Sequence, residues 1–272
     1  MNKLPKTSAT KLQLEDEWLT ISFNQPEKRN ALTEELTKDI KETFNAVRND
    51  LSVRGVTMRG EGGIFCAGGD LKMFKTGFQG GEQGMEDVHK ASEATGHFFD
   101  MINSFPKPVI MLAEGAAMAG GLGMLCAGDV VVVTEDCKFA LTETTLGIPP
   151  AQIAPFVAQR IGLSKARRIM LTAARFTGKE AFDMGLADFL SHCDKEMESL
   201  IGTIKKSVLM GGPDALKATK KMIEAVRVID QKKMIPLAAD LFADCLVSEE
   251  GKEGYSSFLE KRRPGWVKEV KS

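Results

Sequence analysis

The sequence predicts an α/β protein with a helical C-terminal region, and three patterns carry this prediction. Strand-like and helix-like segments alternate over the first two-thirds of the chain, as in α/β folds. Two glycine-rich turns, residues 65–70 and 115–123, each follow a strand-like run and precede a helix-like one. Beyond about residue 195 the apolar spacing is helical only. We therefore divide the chain into a core, residues 1–200, and a C-terminal region, residues 201–272.

Alternation and capping predict the first elements. Apolar residues alternate on both sides of the turn at residues 15–17, which indicates a β-hairpin. Thr33 has the side chain of a helix N-cap, and glutamates follow it in the first turn. The helix after Thr33 has one apolar face, formed by Leu36, Ile40, Phe44 and Val47.

In the middle of the chain, segments with the apolar spacing of a strand alternate with segments that have the spacing of a helix. The run of four valines at 130–133 is typical of a strand that is buried on both faces. Thr177 and Glu180 have the spacing of a capping box. The glycine-rich stretch 76–84 predicts a mobile loop. The remaining predicted elements are strands over 53–58, 109–113 and 138–141, and helices over 86–104 and from the second glycine turn to about 128.

Composition and charge exclude several classes of function. The formal net charge of −1 gives no overall attraction to nucleic acid or to an anionic membrane. The five cysteines show no paired spacing and the three histidines lie apart from them, so neither a disulfide framework nor a metal site is expected. The N-terminus has no secretory signal and no apolar run is long enough to span a bilayer. We expect a cytoplasmic protein.

The glycine turns predict a site for a developing negative charge. Glycine lets a ligand approach the backbone closely, and the first N–H groups of a helix have no partner within the helix. Two such groups that point at one position would form an oxyanion hole for a carbonyl oxygen, here that of a thioester.

Five motifs in order resemble those of the enoyl-CoA hydratase/isomerase (crotonase) superfamily, over nearly the whole chain. They lie at residues 24–32, 65–72, 115–129, 139–149 and 258–266. The resemblance implies a crotonase-like spiral of ββα units for the core and a trimerisation role for the C-terminal helices. It also implies a homotrimer or a dimer of trimers, and no cofactor beyond the coenzyme A of the substrate.

The resemblance also assigns functional residues. It places the oxyanion-hole N–H groups on Gly69 and Gly120 and a catalytic acid/base on Glu143. The segments at 28–31 and 67–71 would form the coenzyme A cleft, with Lys28 and Arg29 as candidates for contacting the phosphates. The residues assigned to this cleft are Lys28, Arg29, Ala31, Ala67, Gly68, Asp70 and Leu71.

One departure from the family pattern decides which reactions remain. The best-known hydratases use two glutamates, and this chain has Gly123 in place of the first, which leaves Glu143 alone. One carboxylate can activate water and then return the proton to C2, so a hydratase is the preferred interpretation. It can also move a proton between C2 and C4, as in an isomerase, and a non-catalytic acyl-CoA-binding protein is the third alternative.

The glycine at position 123 also has a steric meaning. Because it removes a side chain beside the acyl carbons, it would enlarge the pocket for a branched or carboxylated acyl group. The segment 146–156 resembles that of family hydratases that act on such groups, including glutaconyl derivatives. Outside the site, Cys66 is interpreted as a small core residue, and His89 and His97 as surface residues. The basic run 261–263 is interpreted as a solvated helix end or as a phosphate contact from a neighbouring subunit.

Overall fold

Two β-sheets form the framework of the protein. The computed structural model describes residues 4–69 and 81–267. In this part of the chain the larger sheet has six strands in the order β1-β2-β3-β4-β6-β9, and β1 and β2 pair antiparallel while the others are parallel. The smaller sheet has three strands in the order β5-β7-β8. The strands are β1 (Thr10–Glu15), β2 (Trp18–Phe23), β3 (Gly55–Gly60), β4 (Val109–Ala113), β5 (Ala116–Met118), β6 (Val130–Thr134), β7 (Lys138–Ala140), β8 (Arg175–Thr177) and β9 (Phe189–Ser191).

Helices connect the parallel strands and follow them at the C-terminal end. Two single 3₁₀ turns, Pro26–Lys28 and Glu143–Leu146, lie between strands and helices. The α-helices are α1 (Glu34–Val47), α2 (Gly81–Asn103), α3 (Gly120–Cys126), α4 (Ala154–Leu171), α5 (Gly178–Asp183), α6 (Asp194–Met210), α7 (Pro213–Ala225), α8 (Gln231–Val247) and α9 (Glu249–Leu259). The α4 segment contains a break at Gly162, whose φ of 76° and ψ of 160° are not helical.

The larger sheet is buried on both faces. Alternate residues of β6 belong to different clusters, because Val131 and Val133 pack in the main core and Val132 packs under α6. Met197 and Ile201 of α6 complete the second cluster together with Trp18. The predicted double burial of the valine run is therefore confirmed.

Several predicted elements are confirmed at the level of single contacts. The β1–β2 hairpin pairs Leu12 with Ile21 around the predicted turn. The Thr33 hydroxyl accepts a hydrogen bond from the Leu36 N–H (3.2 Å). Thr177 and Glu180 form the reciprocal capping box that starts α5. In these places local side-chain chemistry determines the structure, so the sequence pattern was sufficient to predict the element.

Other elements differ from the prediction. Strand β3 is Gly55–Gly60, two residues later than the predicted 53–58. Helix α2 begins at Gly81, so 81–84, predicted as part of a mobile loop, is helical, and residues 76–80 lie outside the described part. The second glycine turn contains the short strand β5, which the glycine content concealed.

The C-terminal helices are confirmed, and they bury little within the chain. No residue of α7 or α8 is buried, and Ser257 is the buried residue of α9. Position 200 lies inside α6, and buried residues of α6 occur on both sides of that position. The division at 200/201 stays a prediction.

Candidate functional site

The two predicted binding segments lie side by side. The Ala67 N–H donates to the carbonyl oxygen of Arg29 (3.0 Å), and the Leu32 N–H donates to that of Gly68 (2.8 Å). Leu32 and Gly69 form a parallel bridge in the same place. The segments 28–31 and 67–71, which the sequence assigns to one cleft, are thus joined backbone to backbone between Arg29 and Ala67, and Leu32, the next residue, pairs with Gly68.

The two glycine turns also meet. The Cys66 N–H donates to the Ala116 carbonyl oxygen (3.1 Å), and the Met118 N–H donates to the Cys66 carbonyl oxygen (2.9 Å). Gly68 has a φ of +100°, and a Cβ atom on it would lie 2.9 Å from the Met118 carbonyl oxygen. A glycine is therefore required where the first turn crosses the second.

The predicted oxyanion-hole groups come close together at this crossing. An ideal Cβ built on Gly120 would lie 3.5 Å from the Gly69 nitrogen. Neither N–H donates a hydrogen bond to a loop, turn or neighbouring element among the residues that the structure describes. Gly120 is the first residue of α3, where N–H groups have no partner within the helix. Both donors are therefore without a backbone partner outside their own elements and lie at the same crossing.

Ala119 sets the direction of the Gly120 N–H. Its φ of 48° and ψ of −119° are unusual for a residue with a side chain, and such conformations cost about 1–3 kcal/mol. Two hydrogen bonds hold Ala119 in place. Its N–H donates to the Ala140 carbonyl oxygen (2.9 Å), and its carbonyl oxygen accepts from the Gly123 N–H (3.1 Å). The peptide group that carries the Gly120 N–H is therefore fixed in place before a ligand binds.

Glu143 lies near the same crossing. It begins the 3₁₀ turn that follows β7, three residues after the Ala140 carbonyl group that accepts from Ala119. Three extended residues span at most about 10 Å, so the Glu143 backbone lies within that distance of the strand end that holds the Gly120 turn.

The carboxylate of Glu143 is buried and lacks partners. The residue is 9% exposed, and neither Oε1 nor Oε2 has a hydrogen-bond partner on any other described residue. Burial raises the pKa of this carboxyl group above its usual value. Asp39, which is also buried, differs because its Oδ2 accepts from the N–H groups of Ser8, Ala9 and Thr10. Asp39 is thus satisfied structurally, whereas Glu143 has free acceptor capacity, as a general base requires.

The space beside Gly123 is occupied, contrary to the expected enlargement of the pocket. A Cβ on Gly123 would lie 3.0 Å from both Ile153 Cγ1 and Phe99 Cε2. Gly123 is one turn after Gly120 and therefore lies on the same face of α3. The space next to the glycine Cα is thus filled by apolar groups of neighbouring elements.

The residues predicted to bind coenzyme A differ in exposure. Lys28 and Arg29 are exposed, Ala31 and Ala67 are half-buried, and Gly68 is buried. Asp70 and Leu71 lie outside the described residues. The exposed cations remain available to an anionic ligand at the edge of the paired segments.

Asn30 is a structural residue of this cleft that the sequence interpretation did not single out. It is fully buried, with a left-handed φ of 51°. Its Nδ2 donates to the carbonyl oxygens of Glu61 (2.9 Å) and Ile64 (2.7 Å), and its Oδ1 accepts from the Gln25 N–H (3.0 Å). Asparagine tolerates this backbone conformation better than most residues, which was the available signal.

Groups outside the site behave largely as expected. Cys66 is fully buried, and burial raises the pKa of its thiol to about 12, so it is a core residue and not a nucleophile. His89 and His97 are exposed on α2. In the basic run, Arg262 pairs with Glu253 and Glu260, so its guanidinium is committed within the chain.

Two further properties of the described residues bear on ligands and location. They contain no group of three or more His, Cys, Asp or Glu side chains placed to hold a metal ion. None of their helices is long and apolar enough to cross a membrane. The cytoplasmic location stays a prediction.

Comparison with known proteins places this geometry in one family. The family model described as "Enoyl-CoA hydratase/isomerase" matches residues 15–269. An enoyl-CoA hydratase/isomerase from Marinobacter aquaeolei superposes with a TM-score of 0.91 at 34% identity, over 96% of this chain and 99% of that one. AtuE of Pseudomonas aeruginosa does so with a TM-score of 0.91 at 36% identity, over 96% and 100%. A Bacillus subtilis protein named "Probable enoyl-CoA hydratase" is 30% identical over 86% of this chain and 90% of its own length.

Replacing Glu143 by glutamine will stabilise the protein, by an amount that grows with pH. The raised pKa means that the folded state holds the proton more tightly, so ionisation above the unfolded-state pKa costs stability. Glutamine has the same shape and never ionises. We expect a gain on the order of 1 kcal/mol near neutral pH, or a rise of about 2–4 °C in Tm. Thermal denaturation of both proteins at pH 4 and pH 7.5 measures it.

The matched control is Glu42→Gln, since Glu42 is an exposed glutamate on α1. Its effect on Tm should be small at both pH values. A Glu143→Gln variant that is less stable than wild type at pH 7.5 would show that the carboxylate has a partner in solution.

Substitutions at Gly123 and Ile153 will be strongly coupled. Gly123→Ala places a Cβ 3.0 Å from Ile153 Cγ1 and should destabilise by about 1–3 kcal/mol through overpacking. Ile153→Ala removes that atom and leaves a cavity. The double variant should therefore be more stable than the sum of the single effects predicts, by about 1 kcal/mol. Urea denaturation of the four proteins in this cycle gives the coupling energy, and additive effects would show that the two positions are not in contact.

Proposed function

The chain belongs to the enoyl-CoA hydratase/isomerase family, and from this premise we propose that it is an enoyl-CoA hydratase that uses Glu143 as its single acid/base. The observation that carries the proposal is the buried Glu143 carboxylate without a partner, on the turn that follows the strand to which Ala119, the neighbour of Gly120, is hydrogen-bonded. A carboxylate kept unsatisfied at a cost in stability is typical of a catalytic group. The relatives named as hydratases support water as the second substrate.

The proposed reaction begins at the thioester carbonyl group. Its oxygen lies between the N–H groups of Gly69 and Gly120, which stabilise the negative charge that develops there. This polarises the C2=C3 double bond and makes C3 electrophilic. Because both donors belong to the backbone and are already oriented, little reorganisation opposes the charge.

Glu143 then carries out both proton transfers. Its carboxylate takes a proton from a water molecule while the water oxygen forms a bond to C3, and the electron pair of the double bond moves onto the thioester oxygen as an enolate. The protonated Glu143 returns this proton to C2, and the enolate collapses to the thioester. One water is added across the double bond and Glu143 is regenerated. The raised pKa suits this exchange, because a stronger base accepts the water proton more readily.

The cleft beside residues 29–32 and 67–69 is the proposed position of the coenzyme A part of the substrate. Lys28 and Arg29, both exposed, would contact its phosphates, and the half-buried Ala31 and Ala67 would lie along the pantetheine arm with Gly68. Asp70 and Leu71 continue the same proposed segment. No further cofactor is needed for this reaction.

Glycine at position 123 favours one alternative reaction specifically. Without a second carboxylate, Glu143 could move a proton between C4 and C2 of an enoyl thioester, which is double-bond isomerisation. The oxyanion hole would stabilise the same enolate in both cases. Product mass distinguishes the two reactions, since hydration adds one water and isomerisation adds nothing.

Glu143→Gln will abolish hydration while acyl-CoA binding persists. Glutamine keeps the size of the side chain but cannot take the proton from water, so we expect a loss of at least about 10³-fold in kcat. Product mass is followed with a panel of straight, branched and carboxylated enoyl-CoAs, and binding is followed by calorimetry. Glu42→Gln is again the control, with unchanged kcat expected.

The outcomes separate the alternatives. Product with the mass of the substrate in the wild-type protein would establish the isomerase. Binding without turnover across the panel would establish the non-catalytic protein, and wild-type turnover in Glu143→Gln would remove Glu143 from the mechanism.

We also propose that the C-terminal helices α7–α9 assemble the chain into a homotrimer or a dimer of trimers. The support is an apolar surface that no part of the described chain covers. Large apolar residues of these helices and of the segment between α7 and α8 are exposed, and surfaces of this kind mark interfaces. They are Ile223, Val226, Val228, Ile235, Phe242, Leu246, Val247, Tyr255, Phe258 and Leu259.

Phe242→Glu will dissociate the assembly. Phe242 is 68% exposed on α8, and a buried charge at an apolar interface is costly. Sedimentation velocity should show a shift from trimer or hexamer to monomer at micromolar concentration. Gln231→Glu, which adds the same charge at the exposed first residue of α8, should sediment as wild type. A monomeric wild-type protein, or an unaffected variant, would contradict the assigned interface.

A further inference from the structure

No hydrogen bond to another described residue orients the Glu143 carboxylate, so its position depends on the backbone that carries it. Asp39 differs, since three N–H groups fix its side chain directly. Glu143 begins a 3₁₀ turn of four residues and is the buried residue of that turn. A single turn of this kind has little stability of its own. The contacts that close the turn therefore decide where Glu143 lies.

Gly147 closes the turn in a Schellman motif. Its φ of 75° and ψ of 15° are left-handed. The Gly147 N–H donates to the Thr144 carbonyl oxygen (3.2 Å), and the Ile148 N–H donates to the Glu143 carbonyl oxygen (3.3 Å). These two hydrogen bonds, with a glycine at the left-handed position, define the motif. Its longer-range hydrogen bond thus ends on the backbone of Glu143.

Backbone hydrogen bonds, rather than side-chain packing, hold the rest of this turn. At its start, the Thr145 N–H and hydroxyl group both donate to the Thr142 carbonyl oxygen (3.0 and 2.7 Å). Thr144, Thr145 and Leu146 are exposed, so their side chains contribute little burial. The geometry at the end of the turn therefore depends on the left-handed conformation of Gly147.

A substitution at position 147 changes backbone conformation without a steric clash. Nothing lies within 4 Å of an ideal Cβ on Gly147, whereas a Cβ on Gly68 would lie 2.9 Å from the Met118 carbonyl oxygen. The remaining cost is conformational, because β-branched residues rarely adopt a positive φ and asparagine does so more readily. Valine and asparagine at this position therefore differ chiefly in how well they keep the turn closed.

We propose that Gly147 is a positioning residue for catalysis, whose left-handed conformation closes the turn on the Glu143 backbone and thereby keeps the Glu143 carboxylate buried in the site. This inference rests on the acid/base function of Glu143 proposed above. Gly147 itself has no side chain and touches no reacting atom. It acts through the backbone of Glu143.

The test compares valine with asparagine at position 147, using the enoyl-CoA that the wild-type protein hydrates fastest. Gly147→Val should open the turn and displace the carboxylate, and a displacement of about 1 Å can cost about 100-fold in rate. We expect kcat to fall at least about tenfold and KM to change less than about twofold, because the groups proposed to bind the thioester are untouched. Gly147→Asn should retain more than about one third of the wild-type kcat.

Gly185 provides a matched control outside the site. It is exposed, has a φ of +81°, and has nothing within 4 Å of an ideal Cβ. It closes α5 with the same two hydrogen bonds, from the Gly185 N–H to the Phe182 carbonyl oxygen (2.9 Å) and from the Leu186 N–H to the Ala181 carbonyl oxygen (2.8 Å). Gly185→Val should lower Tm as Gly147→Val does and leave kcat unchanged.

The stability effect of Glu143→Gln gives a second readout, which needs no turnover. In the wild-type background this substitution should raise Tm by about 2–4 °C at pH 7.5, because Glu143 is buried. In the Gly147→Val background the side chain reaches solvent, so the gain should fall below about 1 °C. In the Gly185→Val background the full gain should remain. A purely structural role of Gly147 would lower Tm but would leave the gain intact.

The outcomes for the positioning role and for the hydratase are distinct. An unchanged kcat in Gly147→Val, or an equal loss in Gly147→Asn or Gly185→Val, would overturn the positioning role and leave the hydratase intact. Wild-type turnover in Glu143→Gln would overturn the proposed function, and the Tm comparison would still confirm or reject the placement of Glu143 by Gly147. If Gly147→Val does not fold, Gly147→Ala, which lacks the β-branch, replaces it in every measurement.

Discussion

The backbone pairing of the Cys66 strand segment with β5 is the constraint on which the site depends. Hydrogen bonds from the Cys66 and Met118 N–H groups lock the two glycine turns together. A Cβ on Gly121 would lie 2.5 Å from the Cys66 carbonyl oxygen, so the start of α3 can approach this strand only without a side chain there. The approach leaves two N–H groups close together and unbonded to other elements. In the proposed reaction these two backbone groups would hold the thioester oxygen.

The site has an energetic cost in the folded state. Ala119 is held in a strained conformation and Glu143 is buried without a partner, and each lowers stability. The double-sided burial of the central strands, whose residues are nearly all inaccessible, offsets these costs. Strain and an unsatisfied acid therefore occur together at one crossing, whereas Asp39, buried elsewhere, receives three N–H groups. This contrast makes the site recognisable from physical chemistry.

The sequence predicted those features that local chemistry determines. Four features depend on neighbours in sequence, and their patterns were recognisable. They are the hairpin, the Thr33 cap, the Thr177–Glu180 capping box and the valine strand. Strand β5 was missed because its pairing with β7 is a tertiary contact made by small residues with no strand-like pattern. The roles of Asn30 and Gly123 were missed for a related reason. The partners of Asn30 lie some thirty positions away at Glu61 and Ile64, and the space beside Gly123 is filled by Phe99 of α2 and by Ile153, which precedes α4.

The replacement at Gly123 shows why an absent residue cannot be interpreted alone. From sequence, a glycine in place of a glutamate indicates lost chemistry and gained space. In the fold the space is taken by Ile153 and Phe99, which the Gln152–Ser92 contact and the Phe99–Phe156 pair hold in place. Because interiors are close-packed, removal of a side chain is compensated by its neighbours, and the chemical character of these neighbours becomes that of the site. With one carboxylate retained and hydrocarbon packed beside position 123, the proposed hydration assigns both proton transfers to Glu143.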